Sequence, residues 1–387
     1  MTGGRLGQLK VALVCDWLES YAGAERVIEA MLAVFPQADV HAVVDFVPPG
    51  ERGFLGGRPV ITSFIQRLPG ARRHFRHYLP LMPLAVEQFD LSGYDLVLSS
   101  SHAVAKGVLV GPDQLHVSYV HSPLRYAWDM QAEYLRDAGL AHGPKGALVR
   151  WLLHRLRNWD ARSANGVDVL VANSRFIARR IEKCYRRESV VIHPPVDVAG
   201  LQPGTRREDF YLTVSRLVPY KRIDRIVEAF RQLPDRKLVV IGSGPELERL
   251  RAIAPANVSL PGFQPDTVVR DHLQRARAFV FAALEDFGIA PVEAQACGTP
   301  VIAYGRGGAS ESVCGLDNPA PTGVFFDVQT PEAIAGALRL FEMQETRITP
   351  QHCRDNALRF SQDAFKERFA DVVLAAWTAF EAQRNTS

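Results

Sequence analysis

Cysteine is scarce in this chain of 387 residues: Cys15, Cys184, Cys297, Cys314 and Cys353 are odd in number, scattered, and contain no Cys-x-x-Cys pair. That excludes a disulfide framework, gives no sign of a zinc site, and fits a reducing cytoplasm. No stretch approaches the roughly 20 consecutive apolar residues of a membrane-spanning helix. The apolar run 11–15 is too short for a secretory signal, so any membrane association is expected to be peripheral. A strong charge of one sign is also lacking, the formal net charge being +3. The imbalance is local: residues 1–195 carry 23 Lys+Arg against 18 Asp+Glu, and the remainder 22 against 24. Nucleic-acid binders are usually basic throughout the domain, which argues against that class. What is present in quantity is apolar surface, 47% of residues. A chain of this length suits two domains of about 150–200 residues each, and the apolar content fills both cores.

In the first half, Lys10-Val-Ala-Leu-Val-Cys15 reads as a strand ended by Asp16-Trp17. Gly23-Ala24-Glu25 then opens a helix, a small-residue turn where a phosphate or sugar can approach the backbone of Gly23 and Ala24. The same residues also suit a plain helix start with an acid in its first turn. Strands are expected at 40–44, 96–99, 115–120 and 167–172, and their alternation with helices predicts a doubly wound parallel sheet. His121-Ser-Pro follows the strand 115–120, which places His121 at a carboxyl strand end facing a crevice. Asn173-Ser174 follows the next strand, where Ser174 either meets a sugar hydroxyl or caps the helix 177–185. Two stretches interleave basic and aromatic residues. One contains Arg72, Arg73, Phe75 and Arg76; the other is a helix with Arg150, His154 and Arg157 along one stripe, Leu152, Leu156 and Trp159 along another, and Trp151 on its flank. Both suit an anionic lipid surface, and ordinary packed surface is the competing reading.

A Pro- and Gly-containing interval at 194–204 predicts a domain boundary, placed at 198/199. In the second half, the strand 210–214 ends in Ser215-Arg216-Leu-Val-Pro-Tyr-Lys221, two cations at a strand end that suit a diphosphate. The Gly242-Ser-Gly244 turn lacks the third glycine and the downstream acid of a dinucleotide fingerprint. Phe263, after Leu260-Pro-Gly262, either lies against a nucleobase or fills core. The apolar run 276–284 predicts a buried strand opening into Glu285-Asp-Phe-Gly288. Pro291 is read as the first position of the next helix, with Glu293 in its first turn and the amides of Gly288, Ile289 and Ala290 beside it. Glu293 either meets a ligand or caps its own helix. The last helix, 362–380, carries Phe365, Phe369, Val372, Val373, Ala376 and Trp377 on one face and is long enough to return to the first domain.

Taken together, Ser215-Arg-Leu-x-x-x-Lys221, Leu260-Pro-Gly-Phe263, Glu285-x7-Glu293, Cys297-Gly-Thr-Pro300 and Gly307-Gly-x-x-Glu311 resemble the family 4 retaining glycosyltransferases. The likeness implies an α/β chain of GT-B fold, with two Rossmann-like doubly wound domains facing a central crevice. Its parts would be an acceptor-binding domain at 1–198, a nucleotide-sugar-binding domain at 199–361, and a helix at 362–387 crossing back. By resemblance, Arg216 and Lys221 hold the diphosphate, Glu293 the ribose, and Glu285 with the amides near Gly288 to Ala290 the donor sugar, while His121 faces the reacting centre. Gly23 and Ala24 sit beneath the phosphates. The departing diphosphate builds negative charge that fixed cations and helix amides stabilise, so no metal or other cofactor is expected. The absence of any Asp-x-Asp pair agrees with that.

Asp16-Trp17, Gly-Ala-Glu-Arg26, Arg125-Tyr-Ala-Trp-Asp129 and the run from Glu285 to Gly298 are most similar to bacterial mannosyltransferases of exopolysaccharide and O-antigen assembly. That implies GDP-mannose as donor, a polyprenyl-diphosphate-linked saccharide as acceptor, and a cytoplasmic protein at the inner face of the membrane. A UDP-sugar-dependent transferase of the same fold stays open, as does a non-catalytic membrane or partner-binding protein. A glycosidase would not need Arg216 and Lys221 beside its carboxylates.

Overall fold

The computed structural model describes residues 6–385. The chain divides into two compact units, one reaching to Pro194 and resuming at Phe365, the other spanning Pro195–Ala364. The boundary lies four residues before the composition-based one because Val196 N donates to Phe360 O at 2.8 Å and Arg354 Nη1 donates to Val198 O at 2.9 Å. These bonds tie the linker to the end of the second unit.

The first unit is built on seven strands: β1 (Val11–Cys15), β2 (Asp39–Ala42), β3 (Val60–Thr62), β4 (Leu96–Ser101), β5 (Leu115–Val120), β6 (Val169–Ala172) and β7 (Val190–Val191). They pair in parallel in the order β3-β2-β1-β4-β5-β6-β7. All residues of β1, β4 and β5 are buried, as expected where helices cover both faces of a parallel sheet. The chain runs outward from β1 through β3, then returns to lay β4 on the other side of β1. The loops after β1 and β4 therefore splay apart, which is where open α/β sheets form their crevices. Helices α1 (Gly23–Val34), α2 (Gly143–Ser163) and α3 (Arg175–Tyr185) flank the sheet. One core layer joins Leu13, Val27, Ile28 and Met31 to Phe365, Phe369, Val373 and Trp377. The last four come from the terminal helix, Gln362–Arg384. Each such burial stabilises by about 2 kcal/mol.

The second unit repeats the plan with β8 (Tyr211–Val214), β9 (Leu238–Ile241), β10 (Val258–Gly262), β11 (Ala278–Phe281), β12 (Val301–Tyr304) and β13 (Gly323–Phe326). Their order, β10-β9-β8-β11-β12-β13, is again all parallel and reverses at the first strand of the unit, between β8 and β11. The doubly wound architecture expected from alternating elements is present in both units. Sequence periodicity misses β3 and β13. β3 is three residues long with Ile61 47% exposed, so it has no buried stretch to show.

Candidate active site

In the second unit the crevice-forming loops follow β8 and β11, and they bring two expected residues together: Lys221 Nζ is in ion-pair contact with Glu285 Oε1. Arg216, on the same loop as Lys221, is exposed. Two glycine-rich turns fix these loops. Gly242 and Gly244 have φ of 144° and 156°, and a Cβ on them would lie 1.8 Å from Ser215 O and 2.3 Å from Leu217 O. Their role is thus close approach of the β9 loop to the cation-bearing loop, not a dinucleotide turn. Gly308 N donates to Glu285 O at 2.8 Å, and a Cβ there would lie 2.1 Å from Phe287 Cα. The Gly305–Gly308 turn therefore sets the backbone that carries Glu285.

Next comes α4 (Ile289–Ala296), entered through Gly288 at φ 85°. The helix begins two residues earlier than expected, so Pro291 is its third position and Glu293 lies in its second turn. Proline fits here because first-turn amides have no intrahelical acceptor and none need be supplied. The N-cap position is glycine, so no N-cap side chain takes up the first-turn amides. The amides of Gly288, Ile289 and Ala290 lie at the positive end of the helix dipole, suited to anionic or hydroxyl oxygens. Two buried contacts hold the helix: Gln295 Nε2 donates to Ser312 O at 2.8 Å, and Asn356 Nδ2 to Gln295 Oε1 at 2.7 Å. At its carboxyl end Arg354 Nη1 donates to Ala296 O at 2.9 Å. Phe263, just past β10, is 73% exposed, so it is no part of the core and offers a free aromatic face.

In the first unit the corresponding loops follow β1 and β4. Asp16, 1% exposed, accepts from the amides of His102 (2.6 Å), Ala103 (2.9 Å), Val104 and Ala105 (2.7 Å), and lies 3.0 Å from His102 Nδ1. Burial alone would raise its pKa; His102 and the amides outweigh that and hold the carboxyl down at about 2. Neither Asp16 nor His102 stood among the sequence-based site residues. The strand-end rule that singled out His121 applies equally to both, since Asp16 follows β1 and His102 follows β4.

His121, after β5, has Nε2 2.8 Å from Ser100 Oγ, and its ring lies 5.1 Å from Tyr119 and 6.1 Å from His102 between centroids. Burial, then the neighbouring His102, push its pKa down to about 3, so it is a neutral hydrogen-bonding ring near pH 7. Gly23 opens α1 and is partly buried with Ala24, while Glu25 Oε2 accepts from Ala22 N at 3.0 Å. The acid of that turn thus caps its helix and leaves the Gly23 and Ala24 backbone at the helix entrance.

Several expected contacts are corrected. Ser174 is fully buried and caps α3, accepting from Ile177 N at 3.1 Å, so it does not meet a sugar hydroxyl. Phe75 is 1% exposed, which removes it from any lipid contact. Arg76 lies over the Phe75 ring at 4.5 Å and pairs with Glu19 at 2.5 Å. On α2 the buried stripe is Leu153, Leu156 and Asp160, not Leu152, Leu156 and Trp159. Arg150 and Arg157 accordingly turn inward, donating to Ala141 O at 3.0 Å and Ala127 O at 2.7 Å. What remains at the surface is Arg72, Arg73 and the Glu19-paired Arg76 on one segment, and Leu148, Trp151, His154 and Arg155 on the other. No helix of the described residues is long and apolar enough to cross a membrane.

Known proteins resemble this chain over both units. The family described as Glycosyltransferase Family 4 matches residues 21–199, and that described as Glycosyl transferases group 1 matches residues 203–360. A GDP-mannose-dependent alpha-(1-6)-phosphatidylinositol monomannoside mannosyltransferase of Mycolicibacterium smegmatis is 31% identical over 228 residues, 50% of this chain and 58% of that protein. A D-inositol 3-phosphate glycosyltransferase of Mycobacterium marinum is 28% identical over 236 residues, 54% of this chain and 50% of that one. The chain thus spans about half the length of these curated relatives. Among solved structures, Anabaena HepE in complex with UDP matches with a TM-score of 0.67 at 17% identity, over 95% of this chain and 100% of that one. Sucrose-phosphate synthase from Thermosynechococcus elongatus matches with a TM-score of 0.69 at 16% identity, over 96% and 100%. At such identities the structures bear on the fold alone: two Rossmann-like domains of GT-B type.

Proposed function

The chain belongs to the family 4 glycosyltransferases, and on that premise we propose that it moves a hexose, mannose from GDP-mannose, onto a polyprenyl-diphosphate-linked saccharide during cell-surface polysaccharide assembly. The observation that carries this reading is the contact of Lys221 with Glu285 at the reversal point of the second sheet, beside the first-turn amides of α4. A cation, a carboxylate and oriented amides in one place suit a sugar diphosphate: hydroxyls for Glu285, phosphate oxygens for Lys221 and Arg216. Glu293 takes the ribose hydroxyls, and the exposed face of Phe263 takes the base, whichever base it is.

In this reaction the bond from the anomeric carbon to the phosphate oxygen breaks. The acceptor oxygen bonds to that carbon on the same face, and its proton passes to the departing phosphate. Negative charge grows on the leaving group, where Lys221, Arg216 and the amides of Gly288 to Ala290 stabilise it without a metal. Neutral His121 hydrogen-bonds the sugar without competing for the phosphate charge. Gly23 and Ala24 let the phosphates approach the start of α1. Lipid-linked acceptors call for a peripheral position at an anionic membrane, and Trp151, Leu148 and Arg155 on α2 with Arg72 and Arg73 supply exposed apolar and basic groups for it.

Transfer and donor hydrolysis screened across GDP- and UDP-sugars, with the product anomer read by NMR, test the proposal. Retained configuration with GDP-mannose is the expected result. A UDP-sugar preference would correct the donor, and turnover of no nucleotide sugar, with no thermal stabilisation by GDP or UDP, would refute the transferase reading.

A further inference from the structure

Asp16 and His102 form a buried carboxylate and half-exposed imidazole at the reversal point of the first sheet, and the transfer scheme above uses neither. The carboxylate has no capacity left for a ligand, since four backbone amides and His102 Nδ1 already surround it. Its geometry fixes the tautomer of its partner. An ionised carboxylate only accepts, so in the neutral imidazole Nδ1 carries the proton and Nε2 presents a lone pair. The ring is clamped as well as oriented: its centroid lies 4.4 Å from that of Trp17, edge to face at 88°. The His102 amide is itself bound to Asp16 at 2.6 Å, so backbone and side chain are held by the same carboxylate. The side chain nevertheless keeps 32% of its surface exposed. Among the described residues Nε2 has no hydrogen-bond partner, whereas Nε2 of neighbouring His121 is engaged by Ser100. Among the described residues the hydroxyl of Tyr126 has no hydrogen-bond partner, and burial, then the Asp16 charge, holds its pKa well above the usual phenol value.

We propose that His102 Nε2 accepts a hydrogen bond from the acceptor's reacting hydroxyl, with Asp16 as the positioning residue that fixes the tautomer. This rests on the transferase reading. No proton is removed by the ring: the hydrogen bond holds the hydroxyl until its proton passes to the departing phosphate.

The test uses the full chain with GDP-mannose as donor and octyl α-mannoside as acceptor probe, measuring transfer and donor hydrolysis separately. His102→Asn retains a donor towards Asp16 and loses the atom at Nε2, so folding is preserved while the contact is removed. The acceptor KM, or kcat/KM where saturation is lost, should worsen by about tenfold to a hundredfold, as for one buried hydrogen bond. The KM for GDP-mannose in hydrolysis and the thermal midpoint should stay within twofold and about 2 °C of wild type. Asp16→Asn should show the same acceptor-specific loss, with a smaller effect on hydrolysis. Unchanged acceptor kinetics in His102→Asn, or a parallel rise in the donor KM, would overturn the assignment while leaving the transferase reading intact. A wild-type chain inactive in both assays would remove the transferase reading and this assignment with it.

Discussion

Replacing Lys106 by methionine strips one charge from the interior of the first unit and leaves its partner in place. Lys106 is 1% exposed, and its Nζ is in contact with Asp160 Oδ1 on α2. Asp160, fully buried, also accepts from Trp128 Nε1 at 2.7 Å and from the Tyr185 hydroxyl at 3.0 and 3.1 Å. Methionine keeps most of the side-chain volume beside the Trp159 and Tyr185 rings, whose centroids lie 5.4 and 5.2 Å from the ammonium. The cost is therefore mainly electrostatic: a buried carboxylate left with two neutral donors, worth about 3–5 kcal/mol. At about 2–4 °C per kcal/mol for a unit of this size, the midpoint should fall by on the order of 10 °C. Differential scanning calorimetry reads it, resolving the two units where they melt apart. Asp160→Asn alone should also destabilise, and the double variant, with both charges gone, should recover most of the loss. A double variant as unstable as the two single losses combined, or a Lys106→Met shift below about 2 °C, would refute the coupling.

Acid should destabilise the fold as well. His116 is fully buried, its Nδ1 3.3 Å from Gly166 O and its Nε2 2.9 Å from Ser99 Oγ, and burial pushes its pKa down to about 4. The unfolded ring protonates below about 6.5 while the folded one stays neutral, so stability present above that pH should decline by about 3 kcal/mol as pH falls to 4, measured by urea titration at each pH. Gly308→Ala places a Cβ 2.1 Å from Phe287 Cα and should lower transfer at least tenfold by shifting the Glu285 loop; wild-type rates would refute the positioning role. Phe263→Ala should weaken GDP binding by about tenfold in calorimetric titration, since base stacking on one ring is worth about 1–3 kcal/mol. Trp151→Ala with Arg155→Glu should reduce sedimentation with phosphatidylglycerol vesicles several-fold, and equal binding by wild type and variant would make α2 ordinary surface.

The strands of both sheets were largely legible because parallel strands buried on two faces read as apolar runs, as in Val11–Cys15 and Leu115–Val120. Pairing order was not, because β1 meets β4 across some eighty residues and nothing local encodes it. The helical phase of α2 was misread for a related reason. Asp160 looks polar and therefore outward, yet it lies in the buried stripe because Lys106, 54 residues away, neutralises it. That turns Arg150 and Arg157 inward, where carbonyls take their donors. Phe75 failed as a lipid contact because it lies in the core with Val14, Ile65 and Val97. The meeting of Lys221 and Glu285 was easier to read, since both follow strand ends within short segments, 216–221 and 285–293.

The two reversal points also show why an acid at a strand end does not by itself announce a ligand. Glu285 meets a side-chain cation, Lys221, so a phosphate can share that cation and release the carboxylate for hydroxyls. Asp16 meets four fixed amides and an imidazole, and every acceptor direction is used. One carboxylate is available for exchange; the other is part of the backbone's own architecture. The difference is donor count rather than position, and only the folded chain reveals it. A saturated carboxylate still acts on substrate through whatever it orients, and at the first sheet that is the Nε2 face of His102.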